Sequence, residues 1–97
     1  MLFLDKVEQV IVTNILKQFI PNHRVWGFGS RVTGINLKPF SDLDLVIKES
    51  ITLEQKMLIE EAFEQSDLSI DVDLLVWDEL PAWLQADIMD NHESLMD

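Results

Sequence analysis

The sequence predicts an α/β (α+β) fold: a short mixed sheet of about three strands flanked by helices, in the order helix, strand, a possible short helix, strand, helix, strand, helix. Three observations predict it. Apolar residues recur at helical spacing near both ends, they alternate with period two between, and Gly27, Gly29 and Gly34, all the glycines present, cluster at the first strand's end. The 97 residues, 47% hydrophobic and 26% charged, suit one domain over 1–97 and leave no room for two. At this length folding buries only roughly 60 to 70% of the unfolded chain's surface, so the core is modest.

In the first helix the stripe is Leu4, Val7, Ile11, Ile15 and Phe19, and Pro21-Asn22 ends it. His23 to Phe28 is a short buried strand. Ser41 to Lys48 is a second, with Leu43, Leu45 and Ile47 opposing Asp42, Asp44 and Val46. Thr52-Leu-Glu-Gln55 is a capping box, and Leu53, Met57, Ala62 and Phe63 carry that helix on. Ser69 to Trp77 alternates again, with Ile70, Val72, Leu74 and Val76 on one side and Asp71, Asp73, Leu75 and Trp77 on the other. Asp78 as N-cap, Pro81 in the first turn and the series Leu80, Leu84, Ile88 make the tail helical, fraying towards Asp97.

Seven Lys and Arg face eighteen Asp and Glu, a net charge of -11, which argues against generic binding to nucleic acid backbones or acidic membranes. The charge is uneven. Residues 24–48 hold Arg24, Arg31, Lys38 and Lys48 against Asp42 and Asp44, a balance of +2, whereas 49–97 hold Lys56 against fourteen acids, a balance of -13. A cationic segment that attracts an anionic ligand thus interrupts an acidic chain. No cysteine is present, which removes thiol chemistry and fits a reducing compartment. No apolar run approaches the roughly 20 residues that span a bilayer, and the acidic start lacks a basic leader, so the expectation is a soluble, cytoplasmic protein.

The glycine cluster marks a special turn where backbone amides converge on an oxyanion. It is neither a dinucleotide fingerprint, since Val32 stands where GxGxxG needs glycine, nor a P-loop, since Ile35-Asn36 follows Gly34. What remains is Gly29-Ser30-Arg31, a turn amide, a hydroxyl and a forked cation suited to phosphate oxygens. Asp42-Leu43-Asp44 adds two carboxylates on one strand face, and such neighbours are relieved by a raised pKa or a shared divalent cation, Mg²⁺ or Mn²⁺ for hard oxygen ligands. Alone, the pair reads as a solvated strand face. Asp73, mid-strand among apolar residues, needs a partner if buried, and a shared metal is one; Asp71 competes for that role. His23 and His92 are isolated and read as strand-edge or solvated residues, and GxSxG and HExxH are absent.

Taken together, Gly29-Ser30-Arg31, then, with eleven residues between Ser30 and Asp42, Asp42-Leu43-Asp44-Leu45, then Val72-Asp73-Leu74-Leu75, resemble the signature of the minimal nucleotidyltransferases (MNT) of the DNA polymerase beta superfamily. The segment from Ser30 to Asp42, with Pro39 inside it, is slightly longer than the family's. The resemblance implies that Gly29 and Ser30 hold the β- and γ-phosphates of a nucleoside triphosphate. It implies that Asp42 and Asp44 bind two Mg²⁺, and that Asp73 binds the catalytic metal and helps activate the attacking hydroxyl. The activity it implies is transfer of a nucleoside monophosphate, AMP from ATP favoured, to a hydroxyl acceptor. It also implies a small helical partner of the HEPN class, the two acting as antitoxin and toxin, with the partner often modified at tyrosine. The chain has no tyrosine and cannot be its own tyrosine substrate. Trp83, within the acidic 49–97 region, is the expected partner contact, whereas Trp77 is expected to pack the protein's own core. The competing expectation is a binding module with a vestigial site that neutralises its partner by contact alone.

Overall fold

Helix α1 spans Lys6–Phe19 in the computed structural model, which describes residues 2–97. The Glu8 amide donates to the Asp5 carboxylate at 2.9 Å, capping it. Its inward face differs from the predicted stripe. Val12 and Leu16 are fully buried with Ile15 and Phe19 packed beside them, Leu4 is buried ahead of the helix, and Val7 is 71% exposed. A spacing of four overshoots the turn of roughly 3.6 residues, so a row drawn at that spacing winds about 40° per step and leaves the core.

Three strands and their connections follow: β1 (Val25–Phe28), the one-turn helix α2 (Ser30–Thr33), β2 (Leu43–Ile47), α3 (Leu53–Glu64) and β3 (Val72–Val76). Each strand is shorter than its alternating segment, because side-chain alternation continues past the last backbone pairing. The capping box of α3 is formed: the Gln55 amide donates to Thr52 Oγ1 at 3.0 Å and the Thr52 amide to Gln55 Oε1 at 2.9 Å. Ile59 and Phe63 are its buried residues, while Leu53 and Met57 are exposed.

The tail departs most from expectation. Trp77–Glu79 form a 3₁₀ turn, α4 covers Ala82–Asp90 with Pro81 rather than Asp78 at its N-cap, and Glu93–Met96 form a fourth strand, β4, where a fraying helix was expected. Four residues are too few to show a period. What recruits them is the free edge of β1, whose backbone groups need partners.

The sheet order is β3-β2-β1-β4, with β1 antiparallel to both neighbours and β2 parallel to β3. Helix α3 makes the crossover that a parallel pair requires. On one face α1 and α3 cover Val25, Leu43, Leu45, Ile47 and Leu74. On the other, α4 brings Leu84 and Ile88 onto Phe28, Val46 and Leu75, with Trp26 and Trp77 alongside. Trp77 thus packs the core, as expected. No described helix is long and apolar enough to cross a membrane.

Leu45 lies on the central strand and is fully buried. Leu45→Ala is expected to cost about 2–5 kcal/mol, read as a lower denaturant midpoint with unchanged slope.

Candidate active site

Backbone pairing builds the site. Phe28 pairs with Asp44 across β1 and β2, and Asp44 pairs with Asp73 across β2 and β3, so the three lie in one row across the sheet. Neighbouring strands lie about 4.8 Å apart, and register partners point to the same face, so the Asp44 and Asp73 side chains stand side by side. They share the face that α4 covers further along, at Val46 and Leu75. Asp42 lies just outside β2, two residues ahead of Asp44 and by alternation on the same side.

The chain leaves β1 at Phe28 and turns at Gly29, whose φ of 75° and ψ of -154° are accessible essentially only to glycine. A Cβ on Gly29 would also collide with Asp44 Oδ2. The turn is therefore pressed against the carboxylate, and Ser30 opens α2 immediately after it. The Ser30 hydroxyl forms no hydrogen bond among the described residues. Gly34, also at φ 75°, closes α2 by donating its amide to the Ser30 carbonyl at 2.8 Å.

Like charges crowd here. Burial first, then Asp73, then Asp42, push the Asp44 carboxyl up to about 6. Asp73 itself is exposed, which corrects the expectation that its mid-strand position buries it: α4 covers the next row and leaves this one open. Asp71 lies just ahead of β3, where its carbonyl accepts the Leu43 amide at 2.9 Å.

Arg31 departs from its predicted role. Its guanidinium, expected on phosphate, is buried and donates to the carbonyls of Phe3, Pro39 and Ser41 at 2.9 to 3.2 Å. All three nitrogens are engaged by main chain. Sequence reasoning also missed a cluster at the other end of this face. Lys48 Nζ sits 3.3 Å from the Trp77 ring centroid and 4.0 Å from that of Trp26, and His92, expected at a strand edge or in water, stacks on Trp26 at 3.8 Å. His92 Nδ1 also pairs with the Ile88 carbonyl at 2.9 Å, tying the end of α4 to β1. Alternation places Trp26 and Lys48 on one face, but only pairing makes them neighbours.

Among the described residues no three carboxylates or imidazoles close round one point as a metal cage. The donor set nonetheless fits Mg²⁺, which is commonly held by one or two carboxylates with substrate phosphates completing its shell. An open row of acids beside a glycine turn can hold cations between protein and a polyphosphate.

These features set a glycine turn beside a row of carboxylates on a mixed sheet. The sequence profile described as polymerase beta, nucleotidyltransferase matches residues 11–97, and the chain belongs to that family. It is 47% identical over 72 residues to a probable protein adenylyltransferase MntA of Haemophilus influenzae, an alignment covering 72% of this chain and 62% of that protein. The chain thus spans less than two thirds of that relative's length. A toxin–antitoxin complex solved with AMP-PNP contains a chain that superposes with a TM-score of 0.72 at 20% identity, over 90% of this chain and 71% of the other. A complex of tri-AMPylated Shewanella oneidensis HEPN toxin with MNT antitoxin superposes with a TM-score of 0.66 at 16% identity, over 93% and 70%. At such identities the two structures establish a shared fold.

The raised Asp44 carboxyl gives the metal-free protein a distinct pH response. Between pH 4 and 6 the folded state holds a proton that the unfolded chain releases, so this carboxyl makes stability fall as pH rises through that window. Its share is at most about 3 kcal/mol, less what water's access removes. Asp44→Asn is therefore expected to raise the thermal midpoint at pH 8, with the gain disappearing near pH 4. An equal gain at both pH values would contradict the crowding.

Proposed function

We propose that residues 1–97 form one nucleotidyltransferase domain that moves AMP from ATP to a hydroxyl of a partner protein, releasing pyrophosphate. The observation that carries this reading is the row that sets Asp44 and Asp73 side by side, with Gly29 pressed against Asp44. The likeness to a protein called an adenylyltransferase supports the choice of nucleotide.

The geometry supports the following roles. The Gly29 turn and the Ser30 hydroxyl receive the β- and γ-phosphates, and the glycine lets the chain approach without a side chain in the way. Asp42 and Asp44 hold the divalent cations on one side, and Asp73, across the strand pair, completes the set. Bound there, two Mg²⁺, for which Mn²⁺ is the natural substitute, supply neutralisation of the charge developing on the phosphates. The acceptor oxygen forms a bond to the α-phosphorus as the bond from that phosphorus to the α,β-bridging oxygen breaks. The electron pair leaves with pyrophosphate, and the hydroxyl proton passes to the exposed Asp73 carboxylate. Positioning and electrostatics are most of what phosphoryl transfer asks of a protein.

The partner we infer is a small helical toxin of the HEPN class, with this chain as its antitoxin. The outer face of α4 supports a contact: Ala82, Trp83, Ala86 and Met89 are exposed there beside Asp87 and Asp90, and Trp83 is 72% exposed. A large aromatic among acids on an exposed helix face suits a partner with basic residues around an apolar pocket.

The double substitution Asp42→Asn with Asp44→Asn is expected to abolish incorporation of labelled AMP into the partner while the far-ultraviolet circular dichroism stays unchanged. Retained transfer would remove the metal role of both. Isothermal titration with Mg²⁺-ATP separates catalysis from neutralisation by contact alone, for which no metal-dependent nucleotide binding is expected. Trp83→Asp is expected to weaken partner binding by about 2 kcal/mol or more, roughly thirtyfold in Kd, with Mg²⁺-ATP binding unaffected.

A further inference from the structure

Arg31 is the one buried charged residue among those described, and no carboxylate pairs with it. A guanidinium is not withdrawn from water without compensation. Here the compensation is main chain alone: Nη1 donates to Phe3 O at 3.0 Å, Nη2 to Pro39 O at 3.1 Å and to Ser41 O at 2.9 Å, and Nε to Ser41 O at 3.2 Å. The Phe3 amide returns a bond to the Arg31 carbonyl at 2.6 Å. One side chain thus ties α2, the N-terminal arm and the end of the 34–42 loop together.

Its strongest hold is on one peptide unit. The Ser41 carbonyl, which takes two of the four bonds, belongs to the peptide whose nitrogen is that of Asp42. Asp42 has no place in the β2 ladder, which starts at Leu43. Its backbone is therefore fixed from two sides, by Arg31 through Ser41 and by the Leu43 amide bonded to Asp71 O at 2.9 Å. The carboxylate itself is exposed.

We propose that Arg31 is a positioning residue: by clamping the Ser41–Asp42 peptide it aims the Asp42 carboxylate, the one acid of the site that lies outside the paired strands. The inference rests on the metal role proposed for Asp42. It requires a fork, because one planar group with several fixed donors can address carbonyls from three segments at once and an ammonium cannot. Groups that orient metal ligands typically matter by about ten- to a hundredfold in metal affinity or activity.

The test uses Arg31→Lys and Arg31→Ala in the intact chain. Amide exchange is followed in metal-free protein at Lys38 and Ser41, whose amides bond to Ser41 Oγ at 2.9 Å and Lys38 O at 3.1 Å within the clamped loop. Expected are exchange roughly tenfold faster at those amides, and a rise of about tenfold in the Mg²⁺ concentration giving half-maximal AMP transfer, with KM for ATP at saturating Mg²⁺ little changed. Arg31→Lys keeps the charge and serves if Arg31→Ala fails to fold. Wild-type exchange and an unchanged Mg²⁺ requirement, with a raised KM for ATP, would overturn the proposal and return Arg31 to the phosphates. Should the wild type transfer no AMP, the functional reading fails separately, and unaltered loop exchange in the variants would still overturn the clamp.

Discussion

Backbone pairing between β2 and β3 forces two carboxylates to share one row. Parallel strands in register set Asp44 beside Asp73, and Asp42 follows two residues away on the same side. In the metal-free fold the raised Asp44 carboxyl is the visible cost of this crowding. A site that the isolated fold pays for makes sense if a cation binds there, since the repulsion then becomes binding energy.

The molecule meets that cost elsewhere. The β2 and β3 residues on the opposite face, Leu43, Leu45, Ile47 and Leu74, are almost wholly buried under α1 and α3, so the strands cannot slip without exposing that core. On the site's own face α4 closes over Phe28, Val46 and Leu75 and stops short of the acids. The Lys48 ammonium between two tryptophans, and His92 stacked on one of them, hold the far end of that layer. Burial first, then Arg24, draws the Lys48 ammonium below its ordinary range.

Arg31 shows how a cation beside a phosphate-type turn can belong to the scaffold. Sequence chemistry favours phosphate for it, since serine, glycine and a guanidinium occur together. The fold places carbonyls from the N-terminal arm and the 34–42 loop within its reach and covers it, so the same fork serves main chain. The glycine beside it keeps the expected character, because its positive φ and closeness to Asp44 follow from the turn itself.

By itself the sequence determined the helix–strand order as far as α4, the capping box at Thr52 and the shared face of Asp42, Asp44 and their strand, because these depend on local periodicity and on groups a few residues apart. The third strand's two faces were legible for the same reason, with Leu75 and Trp77 opposing Val72 and Leu74. Tertiary structure decided the rest: that Glu93–Met96 pair with β1, that Asp73 stays in water, that Val12 and Leu16 rather than Val7 face the core, and that Arg31 turns inward. Each depends on which distant segment supplies a hydrogen-bond partner or a cover, and those contacts exist only once the chain has folded.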